Sequence, residues 1–564
     1  MEFEVYEGER VRLGTRLLIV ERLREAIVAY SLSTLWTRAL RISASGINRC
    51  AILPKTMVTA SQPEIRRLDN ARERLVEVFR WFIANFKDSR MARLFAVVGI
   101  YALSAFLFLR RFGVTDPDIW WHMATGRWIL QHHTIPRTEP FTSYAAGQPW
   151  LAYSWLCEMF MEYLYRWFGF IGIVVYELIF HVILGIALFH LLRSLLPHFW
   201  RSVALTAVGL YVIDYMVSPR PSMLTIFLSI VMLDVLLSVR RTRNVQKLWL
   251  LPAIFLVWSN WHIQMVYGLI LLGAFATESL LNRIVFGNKA CIPMTRAKPF
   301  WWALAGCFLI TFVNPAGPYV YATVRELVNE PKVFLIVDEL RAMSFRQPQH
   351  YVVVLLAMGA ALAIGWRREK RLLWPMLLVF ATMVALRSVK EIWFLSTIAT
   401  CAIADGWVSG AWTEKVHFTA RERLLVAVSV LAMLVVGWRR YDVSNAWLEM
   451  QVAGNFPEVA SQHIEKNHLQ GPLYNDFNWG GFLIWRLPGL LVSMDGRTNV
   501  HGDERVARSL AVWGGKPEWA NDAELAHANI ILAKKNAPLT SILRLDPRYK
   551  IVFEDVQAVI FQPR

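Results

Sequence analysis

The chain has little cysteine and little charge for its length. Its 564 residues include five cysteines, which are far apart and form no CxxC pair, so the sequence carries no zinc or redox signature. Only 18% of the residues are charged, whereas soluble domains hold about a quarter. No GxGxxG pattern precedes a helix, so no Rossmann-type nucleotide site is predicted.

Apolar residues are abundant and lie in long runs. They make up 55% of the chain, with a mean hydropathy of +0.36, and the runs fall between about residues 93 and 438. This pattern predicts a mainly α, polytopic helical membrane protein with more polar ends. The first twenty residues lack the apolar core of a signal peptide, so the first span is expected to direct insertion.

Eleven membrane spans are predicted, several of them shorter than the ~20 residues of a straight crossing. They cover approximately 93–110, 170–192, 201–217, 222–239, 248–262, 264–282, 300–313, 349–366, 372–387, 391–408 and 422–438.

The positive charges set the predicted orientation. The net charge is +17, and the basic residues cluster beside spans, as in "RRTRNVQK" (Arg240–Lys247) and "RREKR" (Arg367–Arg371). An inner N-terminus places most of them inside, as the positive-inside rule requires. The scheme needs Trp155–Phe170 to form an amphipathic helix along the interface; counting it as a span would turn Arg240–Lys247 outward. Membrane lipids, not nucleic acid, are the expected partners.

Three regions follow from this topology. Residues 1–90 are predicted as a cytoplasmic N-terminal extension, although the stretch from Met91 resembles a natural protein start. Residues 91–440 form the membrane domain, with a long first outer loop at 111–169, and 441–564 form a small extracytoplasmic α/β domain. In this tail the patterns predict a helix at Pro457–Asn467 and strands at Leu490–Asp495, Asn529–Ala533, Lys550–Glu554 and Val556–Phe561, the last two as a hairpin.

The first outer loop opens with the acidic stretch "DPDIWWH". Asp116 suits a helix N-cap and Pro117 the first helical position. The expected helix 117–132 then places Asp118 and His122 on one face, and its tryptophans are predicted interfacial anchors. A carboxylate at Asp118 can deprotonate an acceptor or hold a divalent cation. For Asp116, a capping role alone is the alternative.

Other polar elements are predicted at the same outer face, where polar groups near the membrane usually line a cavity. Arg220 and Arg387 can bind phosphate through their guanidinium groups, and snorkelling to the interface is their alternative role. For His262, the alternative is a place in the core. The predicted substrate- and phosphate-binding residues are Arg220, Asn260, His262, Arg387 and Lys390.

These motifs resemble those of the GT-C superfamily of membrane glycosyltransferases, over about residues 91–564. The resemblance lies in "DPDIWWHMATGRWI", "TEPFTSYAAGQPWLAYSWLCE", "SPRP", "WSNWH", "FVNPAG" and "NWGGFLIW…DGR". It implies a bacterial cell-envelope enzyme of the cytoplasmic (inner) membrane. Such an enzyme moves a sugar from a polyprenyl-phosphate carrier to a glycan or protein acceptor on the outer face.

The resemblance also implies roles for the acids of the first loop. Asp118 matches the family's first-loop acid, with Asp116 as the alternate, and Glu158 stands where a second acidic or metal-facing residue would lie. A divalent cation, Mg or Mn, would then be held by Asp118 and Glu158. The predicted catalytic residues are Asp118, Asp116, His122 and Glu158. The chain departs from the family pattern at Tyr153 and Ser154, where a His-Glu pair is expected in the second half of the site.

Two other functions remain open from the sequence. A transporter or flippase of a lipid-linked or small polar substrate would use a broken span such as "NWHIQ", although no internal repeat is visible. A non-catalytic membrane scaffold that binds a partner through the tail is the other alternative, because fold does not dictate function.

Overall fold

The structure, a computed structural model, describes residues 89–109, 113–287, 297–329, 331–367, 371–407, 418–440 and 443–564. Every described residue therefore lies between 89 and 564. Apart from its last two residues, the predicted N-terminal extension lies outside the described residues.

The described fold is mainly helical, with one small sheet near the C-terminus. The helices before the tail are α1 Arg90–Leu109, α2 Ile119–His132, α3 Trp155–Phe168, α4 Phe170–Leu195, α5 Phe199–Ile213, α6 Ser222–Thr242, α7 Leu250–Trp261, α8 Val266–Phe286, α9 Lys298–Ile310, α10 Val320–Val328, α11 Val333–Ile336, α12 Pro348–Gly365, α13 Leu373–Arg387, α14 Ile392–Gly406 and α15 Ala420–Arg440.

The tail adds shorter elements. Its helices are α16 Asn445–Asn455, α17 Glu458–Lys466, α18 Phe477–Arg486, α19 Thr498–His501, α20 Asp503–Trp513, α21 Ala523–Ala526 and α22 Pro538–Leu545, and its strands are β1 Leu473–Asn475, β2 Ile530–Lys534, β3 Tyr549–Glu554 and β4 Ala558–Pro563.

Five described helices are long and apolar enough to cross a membrane, which indicates a membrane protein. They are Arg90–Phe108, Phe170–Leu195, Ser222–Thr242, Ile263–Phe286 and Pro348–Gly365, and Lys298–Ile310 and Leu373–Arg387 are shorter apolar helices. Each predicted span coincides with a helix, but crossing by all eleven stays a prediction. The predicted interfacial segment forms the separate helix α3, which ends at Gly169, where a φ of 66° breaks the chain direction before α4.

Helix α14 lies in the middle of the helical region and packs against α5, α12 and α13. Nearly all of its residues are buried, because alanine, serine and threonine side chains let the neighbouring helices approach closely. Its two threonine hydroxyls donate within the helix, Thr397 to the Trp393 carbonyl at 2.9 Å and Thr400 to the Ser396 carbonyl at 2.8 Å, whereas Ser396 donates to the Gly209 carbonyl of α5 at 3.2 Å. Such internal bonds suit a segment without access to water.

The tail sheet has the strand order β1-β2-β4-β3. Strands β1 and β2 are parallel, and β4 pairs antiparallel with β2 and β3. The predicted β3–β4 hairpin and the predicted helix α17 are confirmed. The predicted strand at Leu490–Asp495 is wrong. The side-chain amide of Asn475 donates to the Met494 carbonyl and accepts from the Ser493 N–H, so these backbone groups bond to a side chain and not to a neighbouring strand. Strand β1 was not predicted, since three residues are too few to show alternation.

The first loop, between α1 and α4, packs onto the tail. Trp120 is fully buried, and its ring centroid lies 5.0 Å from those of Phe456, Phe482 and Trp485. The prediction that Trp120 anchors the chain at the interface is therefore wrong, because the ring belongs to the core between α2 and α18. Gly481 permits this approach, since a Cβ there would lie 2.7 Å from the Pro117 carbonyl oxygen.

Candidate functional site

A polar cavity of about 300 Å³ lies where the first loop meets the ends of several apolar helices. Ionisable side chains from five separated segments share its wall. They are Asp116, Glu177, His181, Asp214, Arg220, Glu339 and Lys390, and Gln264 adds an amide. The predicted convergence of distant polar elements on one site is thus present in the fold, with a membership that differs in part from the prediction.

Arg220 is the centre of the charged wall. Its Nε lies 2.6 Å from Oδ2 of Asp116, and one terminal nitrogen lies 2.8 Å from both Oδ2 of Asp118 and Oε2 of Glu339. The residue stands in "SPRPS", where Pro221 holds the turn that begins α6. Burial would lower the pKa of Arg220, but the three carboxylates hold it well above its usual value. The guanidinium is therefore a fixed positive charge.

Glu339 joins Arg220 to a second cation, Lys390. The Lys390 Nζ lies 3.0 Å from Oε1 of Glu339, and the Lys390 backbone N–H donates to the Glu339 carbonyl at 3.0 Å. Burial alone would raise the pKa of Glu339, but Arg220 and Lys390 hold it at about 2. Its side chain remains 34% exposed. No role was predicted for Glu339, because its only signal was a place in a predicted outer loop.

The two acids of "DPDIWWH" lie differently from the prediction. Helix α2 begins at Ile119 with Asp118 at the N-cap position, so the cap assigned to Asp116 and the start at Pro117 are wrong. Asp116 instead accepts the Asp118 N–H at 2.9 Å, which forms a turn before the helix. Asp116 lines the cavity. Burial raises the pKa of Asp118 to about 6, although Arg220 opposes the rise.

His122 pairs with Glu158 rather than with Asp118. Its Nδ1 lies 3.2 Å from Oε1 of Glu158, and both side chains are at most 5% exposed. Burial raises the pKa of Glu158 to about 8 and, with nearby cations, lowers that of His122 well below its usual value. At neutral pH the pair is therefore a hydrogen bond between two uncharged groups, which joins α2 to α3.

The acids do not form the divalent-cation site that the resemblance implied. Asp118 and Glu158 belong to two separate pairs, and the guanidinium of Arg220 stands where converging carboxylates would meet a cation. Across the described ranges, no group of three or more His, Cys, Asp or Glu side chains is arranged to hold a metal ion. The donor set does not fit Mg or Mn, which take several oxygen ligands.

Three predicted binding residues lie outside this wall. Asn260 accepts from the Trp155 indole at 3.0 Å and donates to the Val313 carbonyl, which ties α3 to α7. His262 bonds Thr225 at 2.8 Å. Arg387 donates to the Val328 carbonyl and stacks on a phenyl ring. None of the three is among the described residues that line the cavity.

A second ionisable cluster in the cavity was missed by the sequence reasoning. Glu177 and His181 are one turn apart on α4, and Asp214 follows α5. The signal was present, because charged residues inside apolar helices are rare and usually functional. The stretch "YELIFH" was predicted as part of a span, so Glu177 and His181 were given no role.

The "DGR" motif of the tail forms a buried ion-pair network with the first loop. Arg497 binds Glu139 through two bonds of 2.7 and 2.9 Å and Asp495 through bonds of 2.7 and 2.9 Å. All three side chains are at most 1% exposed. Burial would raise the pKa of Asp495, but Arg497 and His501 hold it well below its usual value. The network fixes the loop that carries Asp116 and Asp118.

Compared with known proteins, the chain matches no protein-family model and no curated protein. The resemblance to the GT-C superfamily therefore rests on the sequence motifs alone. The chemistry of the cavity is the remaining basis for a function.

Proposed function

We propose that the chain is an integral-membrane glycosyltransferase of the GT-C type. It moves a sugar from a polyprenyl-phosphate carrier to an acceptor at the outer face of a bacterial inner membrane. One observation carries the proposal: Arg220 and Lys390 stand side by side on the cavity wall and both hold the single carboxylate of Glu339. The orientation, with the N-terminus inside and the tail outside, comes from the positive-inside count.

The paired cations suit a phosphate group. A guanidinium fork and an ammonium together offer more donors than one carboxylate can accept. Glu339 is partly exposed, so a lipid phosphate that enters the cavity can take its place on Arg220 and Lys390. The apolar helices beside the cavity provide a surface for the polyprenyl tail.

The same cations would favour the reaction as well as binding. When the bond between the sugar's anomeric carbon and the phosphate oxygen breaks, the phosphate gains negative charge. Fixed positive charges stabilise that developing charge more than they stabilise the starting donor, which lowers the barrier. Asp116 and Asp118 still hold Arg220 after the phosphate has displaced Glu339, so the guanidinium does not need to reorganise during the step.

The acids of the first loop support the arginine in this account. Asp116 and Asp118 both ion-pair with Arg220, so neither offers an unpaired carboxylate. We assign them as positioning residues for Arg220, in place of the base expected at Asp118.

A transporter is the second candidate, because Glu177, His181 and Asp214 line the cavity at the edge of apolar helices. Such residues form proton relays in pumps and transporters. Uptake of a labelled lipid-linked sugar into vesicles, driven by a pH gradient and lost in His181→Gln, would favour this candidate.

Paired arginine variants test the glycosyltransferase. Arg220→Gln removes the central cation, whereas Arg387→Gln removes an arginine that lies outside the cavity. Mass spectrometry of envelope glycans should show loss of one glycan with Arg220→Gln and a wild-type profile with Arg387→Gln. Wild-type glycans with a well-expressed Arg220→Gln protein would refute the proposal.

A further inference from the structure

A cluster of four polar side chains lies at the cavity, apart from the Arg220 group. His181 Nδ1 is 2.5 Å from Oδ1 of Asp214, and Ser104 donates to the same oxygen at 2.8 Å. His181 Nε2 is 3.9 Å from Oε1 of Glu177, beyond hydrogen-bond length. The imidazole thus has a carboxylate on each side, and only the Asp214 side is closed by a bond.

The free nitrogen is costly for a purely structural cluster. His181 is 1% exposed, and its Nε2 is buried without a hydrogen-bond partner among the described residues. An unmade bond at a buried polar group costs roughly 1–3 kcal/mol. The Phe108 ring stacks on the imidazole at a centroid distance of 5.1 Å, which holds its plane. A fixed imidazole with one unused nitrogen, in the wall of a polar cavity, is arranged for a partner that enters.

We propose that the Glu177–His181–Asp214 cluster accepts the proton of the acceptor hydroxyl during glycosyl transfer. The proposal rests on the proposed function. In the step, the acceptor oxygen forms a bond to the anomeric carbon, and the bond from that carbon to the phosphate oxygen breaks. The phosphate leaves with the electron pair as an anion, and the hydroxyl proton passes to the cluster.

The cluster can take a proton in either starting state. With a neutral imidazole, the lone pair on Nε2 is the acceptor and Asp214 stabilises the imidazolium that forms. With a protonated imidazole, two carboxylates flank one cation, and Glu177 is the acceptor. The acids of the first loop are less suited, because Asp116 and Asp118 are already ion-paired with Arg220.

The groups that face the cluster come from several elements. Glu177 shares α4 with His181, Ser104 comes from α1 and Asp214 from the turn after α5. Across the cavity stand Asp116, Arg220, Glu339 and Lys390. The two cations belong to the phosphate side, so the donor phosphate and the proton acceptor occupy different parts of one cavity.

His181→Ala tests the assignment, with His190→Gln as the control. His190 lies on the same helix but is 74% exposed and remote from the cavity wall. Two readouts are needed: binding of undecaprenyl phosphate to the purified protein, and transfer, measured as consumption of the lipid-linked sugar in membrane vesicles. We expect His181→Ala to bind undecaprenyl phosphate like the wild type and to lose about 100-fold or more in transfer.

Rescue of transfer by added imidazole is the decisive measurement. Imidazole fills the space left by His181→Ala and should restore part of the transfer, but it should have no effect on His190→Gln. Transfer within threefold of wild type, loss of undecaprenyl phosphate binding, or a defect that imidazole does not relieve would each overturn the assignment. If His181→Ala does not fold, the isosteric Asp214→Asn decides: retained binding with at least tenfold slower transfer supports the cluster, and unchanged transfer overturns it.

The arginine variant separates this inference from the proposed function. If Arg220→Gln abolishes transfer while His181→Ala transfers normally, the proton acceptor lies elsewhere and the glycosyltransferase stands. If Arg220→Gln also leaves the glycans unchanged, the proposed function itself has failed.

Discussion

Arg497 of the tail and Glu139 of the first loop form a two-bond ion pair that joins positions 358 residues apart. Both side chains are 1% exposed, and the guanidinium also lies over the Phe141 and Trp150 rings at 5.2 and 4.8 Å. The pair explains why the chain needs a folded tail near its cavity. The tail holds the loop whose acids in turn hold Arg220.

Removal of Arg497 should be strongly destabilising. Arg497→Ala leaves Glu139 and Asp495 buried without their cation, a change that costs about 3–5 kcal/mol in comparable cases. Thermal unfolding of the purified protein should show a large drop. Arg544→Ala, which breaks a more exposed pair with Glu554, is the control and should change stability by less than about 1 kcal/mol. Equal effects of the two variants would mean that the buried network is unimportant.

Glu158 should make the protein less stable as the pH rises. Because burial raises its folded pKa from 4.5 to about 8, the folded state binds a proton that the unfolded state has released. This contribution is complete below pH 4.5 and is lost as the pH passes 8. The unfolded-state pKa of His122, about 6.5, lies at the edge of the window from pH 6.5 to 8, so Glu158 is isolated by comparing the wild type with a Glu158 variant that keeps His122.

Glu158→Gln should remove roughly 1–2 kcal/mol of this pH dependence across that window. The check is the difference between the wild-type and variant melting temperatures at pH 6.5 and at pH 8. A constant difference at the two pH values would show that Glu158 is ionised in the folded protein.

Gly496 should be intolerant of any side chain. A Cβ there would collide with Oδ1 of Asp118, and the displaced carboxylate would no longer hold Arg220 in place. Since a shift of about 1 Å at a site can cost up to about 100-fold in rate, Gly496→Ala should slow transfer by roughly 10- to 100-fold. Gly454→Ala, whose Cβ meets nothing within 4 Å, should transfer like the wild type. Similar rates of transfer for the two variants would mean that Asp118 does not position Arg220 for the reaction.

Neutralising Glu339 should strengthen phosphate binding. Glu339 occupies the two cations that the lipid phosphate would bind, so Glu339→Gln should lower the Kd for undecaprenyl phosphate by about tenfold, or 1.4 kcal/mol. Asp338→Asn is the matched control, since Asp338 is the adjacent residue, and its carboxylate is 92% exposed and pairs with Arg341. Weaker binding by Glu339→Gln would mean that Glu339 builds the site instead of occupying it.

Local patterns in the sequence predicted the helices well but predicted the site only in part. Apolar run length located the helical segments, and the alternation at Lys550–Phe561 located the β3–β4 hairpin. Arg220 and Lys390 were found because polar residues stand out between spans. The partner of each ionisable side chain could not be predicted from local patterns. Asp118 and His122 share a helix turn, yet Asp118 binds Arg220 and His122 binds Glu158. Which of several acids meets a given cation depends on packing between distant segments.

Three features depended entirely on tertiary contacts. Trp120 looks like an interfacial anchor in the sequence, but its place in the core follows from the docking of α18. Glu339 gains its role only because its loop is bonded to the backbone of the turn at Val389 and Lys390. His181 lies within a predicted span, and its pairing with Asp214 joins two helices that are separate in the sequence.

The most direct test of the central claim is a comparison of lipids from cells with and without the protein. Polyprenyl-phosphate sugars would be measured by mass spectrometry, with the gene deleted, restored, or restored as Arg220→Gln. If the chain is this glycosyltransferase, one lipid-linked sugar accumulates in the deletion and with Arg220→Gln, and it returns to the wild-type level with the restored gene. An unchanged set of lipid-linked sugars in the deletion would contradict it.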